Sequence, residues 1–203
     1  MDELIARHRR HLPHLQLTHR IYSLTWRLAF TLPSDIIALL DSFRSSDPGS
    51  EGSIQAEYND QMKRYDEYLA QCHSDLSICD ADIGPKICSA LEYYDGQDYQ
   101  LHAYCLMPNH VHMLLKPLAD AFGKHSLISN IVQKIKSYTA KQINRQKGTT
   151  GKVWNEEYFD RYIRDYDDYY ATAAYILDNP VKAGLTKTRD EWPYSYYKPG
   201  LIE

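Results

Sequence analysis

No uncharged apolar run in the chain approaches the roughly 18 residues that a membrane helix needs. The opening MDELIARHRRHLPH also lacks the apolar centre of a signal peptide. Both absences point to a cytoplasmic protein with no membrane partner. Cysteine is scarce: Cys72, Cys79, Cys88 and Cys105 stand at spacings of seven, nine and seventeen, with no C-x-x-C pair for zinc or redox chemistry. At 203 residues the chain is too large to need disulfide staples, so the thiols are expected reduced and mostly buried. Acids are missing from one long stretch. Between Gly123 and Val153 there are seven Lys or Arg residues and no Asp or Glu, although the net charge is -4. A basic surface can therefore exist on an acidic chain, and the same run also reads as a plain solvated helix face.

With 43% hydrophobic and 25% charged residues, the composition is that of a globular protein, and the length suits one domain over residues 1–203. Tyr22, Leu24, Trp26, Leu28 and Phe30 alternate with Ser23, Thr25 and Arg27, which predicts a half-buried strand. LPSDIIALLDSF reads as a helix capped by Ser34, and the polar loop Ser45–Ser53 as the mouth of a helical insertion at about 45–95. In that insertion one helix carries Tyr58, Met62, Tyr65 and Leu69, and a second runs from Pro85 to Tyr94. DYQLHAYCLM and HVHMLLK, separated by Pro108 and Asn109, predict a β-hairpin. A basic helix from Ser126 to about Arg145, a strand-like VWNEEYFDRYIR, and a helix from Tyr166 to Asp178 closed by Asn179-Pro180 complete the pattern. Such an order indicates an α+β domain with helices on one face of an antiparallel sheet.

His110 and His112 carry the chemistry. Alternate strand residues share a face, so the two imidazoles point the same way about 6.6 Å apart along the strand. That spacing lets both close on one divalent ion. It also suits two strand histidines that only hydrogen-bond, and the pair alone leaves both readings open.

Four blocks, YCLMPNHVHMLLKP, KIKSYTAKQIN, VWNEEYFDRYIRD and YILDNPVKAGL, together with the earlier RRHLPHLQ and YSLTWRLAFTLP, resemble the REP-associated tyrosine transposases. These are single-tyrosine HUH transposases of the insertion-sequence-200-like group, and the resemblance runs from about Arg9 to Tyr196. It implies a ferredoxin-like or RRM-like antiparallel sheet with the histidine pair on a central strand. It further implies that His110, His112 and Asn179 hold Mg2+ or Mn2+, and that Tyr175 attacks single-stranded DNA to form a 5'-phosphotyrosine. Tyr175 and Asn179 are i and i+4, hence on one helical face. The founding relatives carry Gln where this chain has Asn179; Asn suits the REP-associated branch. The implied substrate is a REP-type hairpin, and a monomer is expected over a homodimer.

Candidate phosphate contacts are Lys134, Lys136, Lys141, Arg145 and Lys147, with Arg7, Arg9 and Arg10 near the start. Trp154 and Tyr158 are expected in the core, Asp160 is expected to pair with an arginine, and Asn109 is expected to shape the turn. Two rival readings remain. One is a metal-dependent phosphodiesterase in which the histidines and an acid such as Asp160 or Asp120 activate water; the other is a catalytically silent DNA-binding regulator.

Overall fold

The computed structural model describes residues 3–9, 13–29, 64–69 and 76–200 together with Leu32, Ile36 and Ala38; for residues 7–9 and 13 it describes the backbone alone. A hairpin of β1 (Leu4–Arg9) and β2 (Pro13–Leu17) precedes β3 (Tyr22–Arg27). Residues 64–69 are helical. Then come α1 (Gly84–Glu92), β4 (Tyr99–Leu106), β5 (His110–Pro117), α2 (Ile128–Lys147), β6 (Phe159–Tyr162), α3 (Tyr166–Lys182) and β7 (Ser195–Tyr197). Ser34, Ser45–Ser53, Tyr58, Met62 and Cys72 lie outside the described residues. None of the described helices is long and apolar enough to cross a membrane. Cys79, Cys88 and Cys105 are free thiols, the first two half-buried and the third buried.

One antiparallel five-stranded sheet organises the molecule, in the order β6-β3-β5-β4-β7. β5, with the histidines, is central. Odd-numbered β5 residues Val111, Met113 and Leu115 join Tyr22, Leu24 and Trp26 in a core closed by Ile87 and Leu91 of α1 and Ile131 and Ile135 of α2. On the opposite face Ala103, Cys105 and Leu114 pack against Ile163 and against Ala173 and Ile176 of α3. Helices thus cover both faces, where the sequence suggested one. The polar side of β3 misled: Thr25 and Arg27 are not turned to solvent but are 4% and 7% exposed beneath that second layer.

β4 carries an irregularity that matters below. Leu101 pairs with Leu115 and Ala103 with Leu114, so His102 is an extra residue in the ladder. The bulge lets Leu101 and Tyr104 both face the larger core while Ala103 faces α3, a placement strict alternation cannot give.

Pro180 does not end α3, which continues to Lys182. A proline removes one helical hydrogen bond, here at the last turn, and Asn179 and Pro180 are both buried there, so packing holds the turn. At the other end Asp165 caps the helix, accepting from the Asp168 amide at 2.8 Å.

The N-terminal hairpin is fastened by two polar residues. Gln16 accepts from the Ile128 amide at 2.9 Å, and so caps α2 from a distance, while its amide donates to the Ser126 carbonyl at 2.8 Å. His14 lies 2.5 Å from Asp160 and 3.4 Å from Glu157 and stacks on Tyr158. Asp160 thus pairs with His14, while Arg161 takes Asp168, at 2.7 Å. Burial alone would lower the His14 pKa, but the two carboxylates outweigh it and raise it to about 9. A raised pKa means stabilisation that is full below about 6.5 and lost as pH climbs through about 9. We expect chemical denaturation to show stability falling by on the order of 2 kcal/mol across that window, and a His14→Ala protein to show a flat profile there.

Candidate active site

His110 and His112 lie side by side on the α3 face of β5, their Nε2 atoms 3.1 Å apart. Both are buried, at 0% and 1% exposure. Each has its other ring nitrogen engaged. His110 Nδ1 meets Asn109 Oδ1 at 2.6 Å, and the Asn109 amide donates to the Leu69 carbonyl at 2.8 Å, which fixes which end of that amide accepts. His110 therefore carries its proton on Nδ1 and presents a lone pair at Nε2. His112 Nδ1 lies 2.8 Å from Thr25 Oγ1, a rotatable hydroxyl that can donate or accept. With the hydroxyl donating, His112 Nε2–H points at the lone pair of His110. With it accepting, both lone pairs converge on one point, an arrangement that a cation between them stabilises. Burial, and for His110 also its neighbour, keeps both rings neutral: His112 is pushed down to about 3 and His110 well below its ordinary value.

A third group completes the cluster. Asp66, in the helical residues 64–69, brings Oδ1 to 4.0 Å from His112 Nε2, and that oxygen is buried with no hydrogen bond. One ligand atom from each of Asp66, His110 and His112 lies within 4.8 Å of the others. Two imidazoles and a carboxylate with one orphaned buried oxygen fit a divalent ion of the Mn2+ or Mg2+ type. The other carboxylate oxygen of Asp66 accepts from the Tyr175 hydroxyl at 3.0 Å. Tyr175 stands edge-on to His112, ring centroids 6.2 Å apart, with the Lys182 ammonium 4.4 Å over its ring. Burial first, then Asp66, raises the Tyr175 pKa, while burial lifts Asp66 to about 7. Asn179 is buried one turn beyond, its amide nitrogen turned onto the Tyr175 carbonyl at 3.0 Å.

The sequence gives no signal for Asp66, since an acid beside Tyr65 in an amphipathic helix reads as solvent-facing. The acids it offered instead are committed elsewhere: Asp160 to His14, and Asp120 to the amides of Phe122 and Lys124 in its own exposed loop. Asn109, read as a turn former, orients His110 as well.

The basic residues divide. Lys134 is paired with Asp98 and Lys147 with Asp80, each at 2.6 Å. Lys136 donates to the carbonyls of Asn155, Glu156 and Glu157 and covers the Tyr158 ring, so it braces the 155–158 turn. Lys141 and Arg145, one turn apart on α2, are exposed. Arg7 and Arg9 lie on β1, and Arg10 falls outside the described residues.

Residues 82–179 match the family described as Transposase IS200 like. A Haemophilus influenzae protein whose name carries the words REP-associated tyrosine transposase is 28% identical over 107 residues, 49% of this chain and 59% of that protein. An Escherichia coli protein named REP-associated tyrosine transposase is 29% identical over 101 residues, 49% of this chain and 54% of that one. The chain thus spans little more than half the length of these relatives. A solved structure of a REP-associated tyrosine transposase bound to a REP hairpin is 17% identical and covers 94% of this chain and 81% of its own, with a TM-score of 0.49. The matched stretch holds both histidines, Tyr175 and Asn179, and through residues 82–179 this chain is similar to the IS200-like transposases.

Proposed function

We propose that the protein nicks and rejoins single-stranded DNA beside a REP-type hairpin through a covalent 5'-phosphotyrosine at Tyr175, with His110, His112 and an oxygen donor from Asp66 or Asn179 holding Mn2+ or Mg2+. One observation supports this above the rest: the Tyr175 hydroxyl and the two Nε2 atoms are gathered around a single buried carboxylate, Asp66. When bound, the ion supplies positive charge against which a phosphodiester can be polarised.

The remaining work falls to side chains. The Tyr175 oxygen attacks phosphorus as the bond to the 3'-oxygen breaks, and its proton passes to Asp66 Oδ2, the atom it already touches. The carboxylate is buried beside the phenol, so the proton has one short path to follow. Lys182, over the ring, favours the developing phenolate. Asn109 holds the His110 tautomer, and Thr25, able to donate or accept, lets His112 take either one. Because the phosphotyrosine keeps the energy of the cut linkage, a second 3'-hydroxyl reverses the step and joins DNA without ATP. Tyr175 and the histidines meet within one chain, which supports a site completed in cis and a monomer as the working unit.

The test is incubation of the full chain with hairpin-bearing single-stranded oligonucleotides and Mn2+. The expected result is a protein–DNA adduct that survives denaturation, with a free 3'-hydroxyl on the released fragment. Cleavage with no adduct would favour water activation by His110, His112 and Asp66.

For DNA affinity we place the phosphate contacts of α2 at Lys141 and Arg145, and keep Arg7, Arg9 and Arg10 as further candidates. Replacing Lys141 and Arg145 together by Gln is expected to reduce the log–log salt slope of single-strand binding by about 1.4, at about 0.7 per phosphate. Lys134→Gln, which frees Asp98 rather than a phosphate, is expected to leave the slope unchanged.

A further inference from the structure

A second cleft, of about 460 Å3, opens at the start of α3 on the same side of the sheet as the histidine pair. Its wall includes His102, the extra residue of the β4 bulge. A bulge places one more side chain on the α3 face than alternation allows, and such irregularities gather beside active sites. His102 Nδ1 lies 2.6 Å from the Tyr169 hydroxyl, while Nε2 is buried and has no hydrogen-bond partner. An orphaned ring nitrogen in a side chain only 8% exposed is a costly thing to keep unless something binds to it.

The rest of the cleft suits a flat, polar-edged ligand attached to a phosphate. Arg20 and Arg164 stand at it, as does His19, whose φ of 60° is the one left-handed value among described residues other than glycine. Tyr166 adds a ring that is 81% exposed, a platform on which an unpaired base can stack. Ile21 and Ile163 give the cleft apolar surface. Asp165, the acid at the site, has its carboxylate committed to capping α3. Burial, then Lys198 and Lys116, push His102 down to about 4, so the ring is neutral and its free nitrogen can serve in a base-edge hydrogen bond.

We infer that this cleft is a base-reading pocket, which takes one unpaired nucleobase of the single strand near the scissile phosphate and reads it through His102 and Tyr169. The inference rests on the proposed transposase reading and deepens it. Tyr169 precedes Tyr175 by six residues of the same helix, about 9 Å along its axis, within reach of a few nucleotides of strand. One rigid helix then carries both the reader and the nucleophile, which fixes the distance between the recognised base and the cut.

The test uses a pool of single-stranded oligonucleotides with one fixed hairpin and randomised flanks, incubated with the full chain and Mn2+. DNA that becomes covalently attached is recovered and sequenced. Wild type is expected to show a base preference at positions flanking the point of attachment. Tyr169→Phe, which removes only the hydroxyl on His102, and His102→Ala are each expected to flatten that preference about 10-fold at one flanking position, with the others kept. The position-specific profile, not the yield, is the readout, and a general loss of fold cannot produce it. If wild type forms adducts and both variants keep the full profile, or lose it evenly at every position, the pocket is overturned and the transposase reading stands. If wild type attaches no DNA from the pool, the reading itself falls, and the pocket's ligand with it.

Discussion

A Tyr175→Phe protein is expected to fold, bind hairpin-bearing DNA and bind Mn2+ as wild type does, and to form no covalent adduct, a loss of at least about 1000-fold. The substitution removes one oxygen, and that oxygen's described hydrogen bond runs to Asp66 Oδ2. The ring keeps its place beside His112 and under Lys182. Structurally the change leaves a buried carboxylate without its donor, worth about 1 to 3 kcal/mol, which a melting experiment can register without loss of fold. Gel assay under denaturing conditions, with binding measured in parallel, separates the two effects. Nicking at wild-type rate by the Phe protein would overturn the tyrosine mechanism and leave a hydrolase built on His110, His112 and Asp66.

The second large effect is expected at His110. His110→Ala should weaken Mn2+ binding more than about 100-fold and remove adduct formation with it, since an imidazole of the converging pair is gone. Asn109→Ala should weaken the metal about 10-fold to 100-fold, because it releases the His110 tautomer while leaving the ring present. Calorimetric titration with Mn2+ reads both. Equal affinity in wild type and His110→Ala would show that the pair is a hydrogen-bonded strand feature and no more.

Much of this arrangement is legible in the residues themselves. The alternation about Trp26, the Pro108-Asn109 step and the acid-free helix lead directly to β3, the β4–β5 hairpin and α2, because each is decided by short-range periodicity. The H-x-H spacing puts both rings on one face for the same reason. What escapes is set by partners distant in sequence. Asp66 acquires meaning only when residues 64–69 pack over Tyr175 and His112. Thr25 looks like a solvent residue until α3 covers it. The hairpin β1–β2 is held by His14 and Gln16, whose partners lie more than a hundred residues away, and local apolar pattern gives it no signature. The bulge at His102 inserts one residue into a ladder, a choice made by two packed cores at once.

The central position of β5 also governs how the site can come apart. Its backbone is hydrogen-bonded to β3 on one side and β4 on the other, so the strand as a whole is not freed until both ladders separate. α3 is fastened to its surroundings by side chains, among them Arg161 to Asp168 and Arg189 to Asp178, and by one apolar face. In hydrogen–deuterium exchange, β5 therefore belongs with the slowest unit and α3 with a faster one. The paired imidazoles sit on the last element to open, and the phenol sits on an element that can lift away while the sheet stays closed.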